Sequence, residues 1–503
     1  VRMFCNSTTA ANTLTINGGY FEGKYYAVSV SNASGATKVG TLNVNGGEFE
    51  STADEYNACI ANWESNKSSN ISVNITGGKF NDYVLIASNA AVTGGLFKYK
   101  EYTDPDDGTE YNLANYVAPG YELVDNQDAG YPYKVQQKPF VAKIGETGYF
   151  SFADAVEAVQ AEQTIEIVKA GTYKLPASLD NITISGVKGV EFDCEGSGSI
   201  ASIPNGSTFK NVTMNFGNSG YHGFQHAGHI IMDGCILNGL FFSYGDMTFK
   251  GCTFNAPEKD YSMWLYGGDK EVFEDCTFNS TGKIFNVYRE GTAALEATFK
   301  GCTFNSSVLN KSAINVKETC GSTILNNKVT IEDCTIGTPD FFPTTMIGGS
   351  KLYMVDDLKA DGKASGKTTI SLDGEVVWPE YVAQVADQKY LTLKEAIDAS
   401  KAGDTVFLLK DITVDDSEMT TALQDGVGAV RVIDKEITID GNGHSITAEG
   451  WNGTYKGHVL NIDGGNVTVK NLTVDANDVA NAKAAIGVFN GKATLENVAA
   501  KGK

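Results

Sequence analysis

The chain has 503 residues, 42% of them hydrophobic and 10% aromatic, enough to fill large cores in two or three domains and too apolar for a disordered tail. A formal charge of −22, with no run of Lys or Arg, excludes the electrostatic footprint of a nucleic-acid or anionic-membrane binder. Only Arg2, Arg289 and Arg431 supply guanidinium forks, which counts against a site for acidic sugars, and no stretch reaches the roughly 18 apolar residues of a bilayer span. Val1 opens neither with Met nor with a signal peptide, so a fragment or processed form is expected.

In chain order, a six-position unit recurs twelve times: apolar, any, Gly/Asn/Asp, small or apolar, any, apolar. Four early copies carry paired glycines, "INGGYF" from Ile16, "VNGGEF" from Val44, "ITGGKF" from Ile75 and "VTGGLF" from Val92. Six follow in the middle: "FKNVTM" from Phe209, "MDGCIL" from Met232, "FKGCTF" from Phe249 and from Phe299, "FEDCTF" from Phe273 and "IEDCTI" from Ile331. "VKNLTV" from Val469 and "LENVAA" from Leu495 complete the set. Directly successive copies lie 17 to 32 residues apart, the spacing of a solenoid turn. The third position accepts a left-handed backbone, so it predicts a bend between two short strands. Positions one, four and six then face one interior while two and five face water. Parallel crossovers are right-handed, so an all-β, right-handed parallel β-helix solenoid is predicted.

A longer repeat overlies the unit. "VAKIGETGYFSFADAVEAVQAEQTIEIV" (141–168) aligns without a gap on "VAQVADQKYLTLKEAIDASKAGDTVFLL" (382–409). Each copy predicts a short strand ending near Tyr149 or Tyr390, then an amphipathic helix from about Phe152 or Leu393, placed to cover an open sheet end. The chain thus divides into the end of one module (1–138), a whole module (139–378) and the start of a third (379–503). "APGYELVDNQDAGYPYKV" and "SLDGEVVWPEY" mark the joints.

These repeated phrases, with "ITIDGNGHSI" (437–446) and "LNIDGGNVTVKNLTVD", resemble the modular right-handed β-helix repeats of large surface proteins from gut Firmicutes, within the broad pectate-lyase-like superfamily. The resemblance implies an extracellular setting, on the bacterial cell surface or attached to the wall. It leaves function open, because such folds host lyases, hydrolases, adhesins and stalks.

Candidate chemistry is sparse. Cys235, Cys252, Cys276, Cys302 and Cys334 all hold position four, where other copies have Val212, Leu472 and Val498, so they are expected to be inward thiols. Their spacing matches no zinc pair, and strands ~4.8 Å apart are too far for a disulfide. "YHGFQHAGH" gathers Tyr221, His222, Phe224, Gln225, His226 and His229, read as loop and strand and as the best local ligand-contacting surface. "YSMWLYGG" adds Trp264 and Tyr266 in an interval between rungs, where a sugar or protein could stack; Trp63 raises the same question. Asp260, Asp269, Glu271 and Glu290 could meet on one face, and "AGHI" and "NGHSI" echo fragments of a polygalacturonase series without its partners. "TDPDDGTEYN" (103–112) offers oxygen ligands for calcium but lacks EF-hand spacing; no other cofactor is expected.

The sequence therefore predicts a non-catalytic adhesin or stalk segment presenting loops to a host glycan or surface protein. The alternatives are a carbohydrate-active enzyme, lyase or glycoside hydrolase, and a phage tail fibre.

Overall fold

The computed structural model describes residues 1–6, 9–33, 40–54, 56–62, 71–86, 89–106, 108–176, 180–194, 200–202, 204–216, 222–225, 228–243, 245–256, 261–265, 270–280, 283–288, 294–306, 312–336, 351–356, 358, 364–415, 428–451, 456–477 and 479–502. They fall into two compact units, Val1–Ala158 and Val159–Lys503. Nearly all regular structure is strand. Two α-helices occur among the described residues, α1 (Phe152–Ala158) and α2 (Leu393–Ala399), and both begin where the sequence pattern places them.

In the second unit the strands rotate through three parallel sheets. One coil supplies Thr208–Lys210, Thr213–Asn215 and His222–Gln225; the next supplies Ile230–Asp233, Ile236–Asn238 and Phe241–Ser243. Counterparts pair in parallel, Phe209 beside Met232, Met214 beside Leu237 and His222 beside Phe241. The arrangement recurs after residue 405, with Ile439 beside Val469 and Ile446 beside Val474. This is the topology of a parallel β-solenoid.

The bend lies at position three in the middle and late copies. Asn211, Gly234, Gly251, Asp275, Gly301, Asp333, Asn471 and Asn497 all have φ between 50° and 63°. Residues one, four and six then point inward, as Phe249, Cys252 and Phe254 do at 0%, 1% and 7% exposure. Because coils stack in register, like side chains meet like. Phe249, Phe273 and Phe299 stack with ring centroids 4.9 and 5.0 Å apart, and Phe254, Phe278 and Phe304 at 4.7 and 5.1 Å. Each such pair contributes about 0.5–1.5 kcal/mol beyond its area.

The residue after position six forms a column that the six-position unit leaves out. The Asn238 side-chain amide donates to Asn215 Oδ1, Asn255 to Asn238, Asn279 to Asn255 and Asn305 to Asn279, at 2.8 to 2.9 Å. Asn215 in turn donates to Glu191 at 3.0 Å. Position two carries charge, and here like cannot stack on like. Lys210, Asp233, Lys250, Glu274, Lys300 and Glu332 alternate in sign down one column. Three of the contacts close to 4.0, 3.3 and 3.9 Å.

After residue 379, the hairpin Ala383–Val385 and Gln388–Tyr390 leads into α2. Thr392 caps this helix in a capping box with Glu395, and Leu393, Ala396 and Ile397 enter a core with Val406, Leu408 and Ile439.

Two expectations change, and the joint phrases take a definite form. In the glycine-pair copies the left-handed residue is position four, with Gly19, Gly47, Gly78 and Gly95 at φ 108° to 114°. Both joint phrases are antiparallel hairpins, Tyr121–Asp128 with Tyr131–Gln137 and Thr369–Leu372 with Glu375–Trp378. Within "YSMWLYGG", Tyr261–Leu265 is a strand of the third sheet and not an interval between rungs.

A Lys250→Glu variant sets three acids in succession at positions 233, 250 and 274. It should lose about 0.5–1 kcal/mol in urea denaturation, and about 1 M salt should shrink the loss.

Candidate functional site

In the first unit, Tyr20–Gly23, Glu48–Ser51, Lys79–Phe80 and Leu96–Phe97 form a parallel ladder that the Tyr131–Gln137 strand extends in antiparallel sense. Each of the four parallel strands is preceded by two glycines, and packing dictates both except at Gly18, where a Cβ would meet open space. The second lies against the ring of the Phe two residues on: a Cβ at Gly78 would sit 3.2 Å from Phe80, and one at Gly95 2.9 Å from Phe97. The first lies against the preceding coil: a Cβ at Gly77 would be 2.6 Å from Asn45 O. Beneath them Phe21, Phe49, Phe80 and Phe97 stack at 5.2, 5.1 and 4.8 Å.

Four stacked glycine pairs remove every side chain from a strip of surface, and the strip is an open groove of about 570 Å³. That volume falls within the roughly 300–1,000 Å³ of small-molecule sites. Gly19, Gly47, Gly78 and Gly95 floor it; Glu48, Lys79, Leu96 and Lys134 wall it. Beside it, the Tyr131 hydroxyl donates to Glu48 at 3.3 Å and Lys79 Nζ lies 5.8 Å from the Tyr131 ring centre. Burial, then the Glu48 charge and hydrogen bond, push the Tyr131 phenol up to about 12, so it stays a donor at neutral pH. On the same sheet face the Tyr20 hydroxyl is shared between Glu50 and Glu22 at 2.8 and 2.9 Å. Those two hydrogen bonds lift its phenol well above the ordinary range.

The residues singled out in the sequence are dispersed. His222 and Gln225 lie in the strand His222–Gln225 of the third sheet, whereas His229 precedes Ile230 of the first sheet. The exposed His229 has Nε2 2.9 Å from Thr248 Oγ1. Trp264 is half-buried in the third sheet between Phe242 and Asn286, its ring edge-on to Tyr288 at 5.6 Å. Tyr221, His226, Tyr266, Trp63, Asp260, Asp269, Arg289 and Glu290 lie outside the described residues. Glu271 is fully buried, with its carboxylate bonded by Ser243 Oγ. In the 103–112 loop, the buried Asp104 accepts from the Asp106 amide at 2.9 Å, and the exposed Asp106 accepts from the Tyr56 hydroxyl at 2.9 Å. Asp107 is outside the described residues. No three metal-ligating side chains converge among the described residues.

The cysteine column is inward as predicted, and all nine cysteines are thiols. Cys235, Cys252, Cys276 and Cys302 are at most 1% exposed. Hydrogen bonds to ladder neighbours, with burial, hold Cys235 and Cys276 well above the ordinary thiol range. Neighbouring thiols pull Cys252 and Cys302 the other way, toward the thiolate. No Lys or Arg is among the buried side chains described, so burial decides and the column is protonated.

Two acidic positions that sequence reasoning passed over are structural. Glu318, fully buried, accepts from the Trp378 indole at 2.9 Å and the Ser365 amide at 3.0 Å, clamping the second joint hairpin. Asp440 opens the "DGNGHS" bend. It accepts from the Asn442 amide at 3.0 Å and the Asn471 side chain at 3.1 Å, with Lys470 Nζ 3.3 Å away. Burial alone would raise its carboxyl, but those three partners outweigh it and hold it below the usual range.

No family model matches the chain, and no curated protein matches it. Among solved structures, the catalytic unit of a thermostable GH87 alpha-1,3-glucanase from Streptomyces thermodiastaticus strain HF3-3 is similar at 11% identity and a TM-score of 0.20. The match covers 99% of this chain and 62% of that one, so the chain spans less than two thirds of its length.

The depressed Asp440 carboxyl stabilises the fold above its unfolded value of about 3.9, and that contribution disappears as pH falls below it. Asp440→Asn should therefore lower the denaturation midpoint at pH 7 and much less at pH 3.

Proposed function

We propose that this chain is a carbohydrate-binding segment of an extracellular bacterial surface protein, of the adhesin or stalk kind, holding an extended glycan along the glycine-floored groove. The groove is the observation that carries this reading. A floor without side chains lets flat sugar rings approach the backbone, and at ~4.8 Å per coil four coils offer about 15 Å of continuous track. Glu48, Lys79 and Lys134 supply hydrogen-bonding groups at its side, with Glu48 held by the hydroxyl of the buried Tyr131. In this reading the coils wind right-handed, and the helix-headed repeats starting near 139 and 379 are successive modules of one stalk.

A second reading, glycoside hydrolysis, is favoured by one observation. Glu22 and Glu50 accept from the same hydroxyl and so stand at most about 6 Å apart, near the roughly 5–5.5 Å of retaining carboxylate pairs.

Affinity electrophoresis against linear polysaccharides tests both. The chain should be retarded by at least one of them, and Leu96→Trp, which fills the groove from its wall, should weaken retardation at least tenfold. Retention unchanged in that variant, or no retardation at all, would sink the binding reading. Release of reducing ends that is lost in Glu50→Gln would replace it with the hydrolase.

A further inference from the structure

The groove draws its charge from one wall, and that charge is sorted by end. The residues that precede the first glycine of each pair, Asn17, Asn45, Thr76 and Thr93, are all neutral. The residues between the second glycine and Phe are not. In-register pairing sets them in the order Tyr20, Glu48, Lys79 and Leu96, with Lys134 beside Leu96 on the antiparallel strand. The next outward position repeats the trend: Glu22 stands beside Glu50, and the following copies carry Asn81 and Lys98 there. The first two coils thus present Glu22, Glu48 and Glu50, and the later strands present Lys79, Lys98 and Lys134. Lys100 joins the basic end, with Nζ 5.0 Å from the centre of the Tyr133 ring. In a chain of net charge −22 this is a local reversal of sign.

Among the described residues, no carboxylate pairs with either groove lysine. Glu48 is the cross-strand neighbour of Lys79, yet Glu48 accepts from the Tyr131 hydroxyl while Lys79 Nζ lies 5.8 Å from the Tyr131 ring centre. Lys134 has the apolar Leu96 opposite it on one side and Val124 on the other. Both lysines line the same cavity, so two like charges face the space a ligand would fill.

We propose, resting on the glycan reading of the groove, that its ligand is an acidic heteroglycan whose carboxylates are separated by neutral sugars, held in one direction with a carboxylate between Lys79 and Lys134. Distance decides between this and a polymer charged on every ring. A carboxylate over Leu96 is one strand spacing, ~4.8 Å, from each lysine position and two, about 9.6 Å, from Glu48. The second distance exceeds the screening length of about 8 Å at physiological ionic strength, so the two cations win there. A carboxylate on every ring would also lie against Glu48, with Glu22 and Glu50 behind it, and repulsion at that end would offset the gain. Neutral sugars suit the acidic end, where their hydroxyls can donate to the carboxylates. The scarcity of arginine fits as well, because lysine meets a single carboxylate as a point charge and needs no bidentate fork.

Affinity electrophoresis of the whole chain with three probes tests the proposal: hyaluronan, with a carboxylate on every second ring; the same polymer with its carboxylates reduced to alcohols; and polygalacturonate, with one on every ring. Hyaluronan should bind at least about fivefold more tightly than its reduced form. About 0.5 M salt should remove most of that difference. Replacing both lysines, Lys79→Gln with Lys134→Gln, should bring the two polymers level. Glu48→Gln, whose amide oxygen can still accept from Tyr131, should strengthen retention by polygalacturonate. Equal retention by hyaluronan and its reduced form, a preference that survives the double lysine variant, tightest binding to polygalacturonate, or no gain in Glu48→Gln would each overturn the proposal. Retention by neutral polysaccharides alone would overturn it and spare the glycan groove, whereas retention by no polysaccharide would overturn both.

Discussion

In-register stacking of one coil on the next is the constraint on which everything else here depends. Backbone hydrogen bonds fix the repeat at ~4.8 Å, and a column of equivalent side chains must then live with its own copies as neighbours. Phenylalanine gains from this, because offset stacking at about 5 Å suits its ring. Asparagine gains too, since one side chain carries both donor and acceptor. Lysine does not, and position two solves the conflict by alternating sign. The composition of each column follows from whether a residue tolerates itself.

The groove follows from the same rule applied to glycine. One glycine in a turn is a local convenience, but a glycine repeated in every coil becomes a trench. Its origin lies in the Phe column beneath, whose rings occupy the space a Cβ would need. A feature that can hold a ligand is thus a by-product of core packing. Glu48 and Lys79 at its wall come from the residue between glycine and Phe, the outward position where substitution leaves the core intact.

Much of the architecture was legible in the sequence, because the bend and the inward positions are local. Gly, Asn or Asp at position three reports a left-handed backbone, and Val or Leu in place of Cys reports an inward site. The shift of the bend to position four in the glycine-pair copies was not legible: two adjacent glycines leave the period ambiguous, and only the ring of the following Phe decides it. The asparagine column was missed for a simpler reason. The unit was cut at six residues, though Asn215, Asn238, Asn255, Asn279 and Asn305 stand at the seventh. For the groove, the signal was the paired glycine itself, but its wall depends on Lys134, which arrives from a hairpin whose sequence marks only a joint between modules. Within the His cluster, His222 and Gln225 share a strand of the third sheet while His229 precedes a strand of the first, because a strand-and-bend chain sends nearby residues into different sheets.

The asparagine column gives the solenoid a vector. Every amide donates toward the coil before it, and the series ends on the Glu191 carboxylate, so the bonds polarise one another in a single sense. Reversing one amide would set two donors face to face on one side and two acceptors on the other, so the whole row turns together or not at all. A chain built this way can be lengthened only by complete turns that bring their own asparagine. Evolution of length in such a molecule is therefore quantised: a partial insertion must leave as a loop, while a whole coil joins the line without either end registering the change.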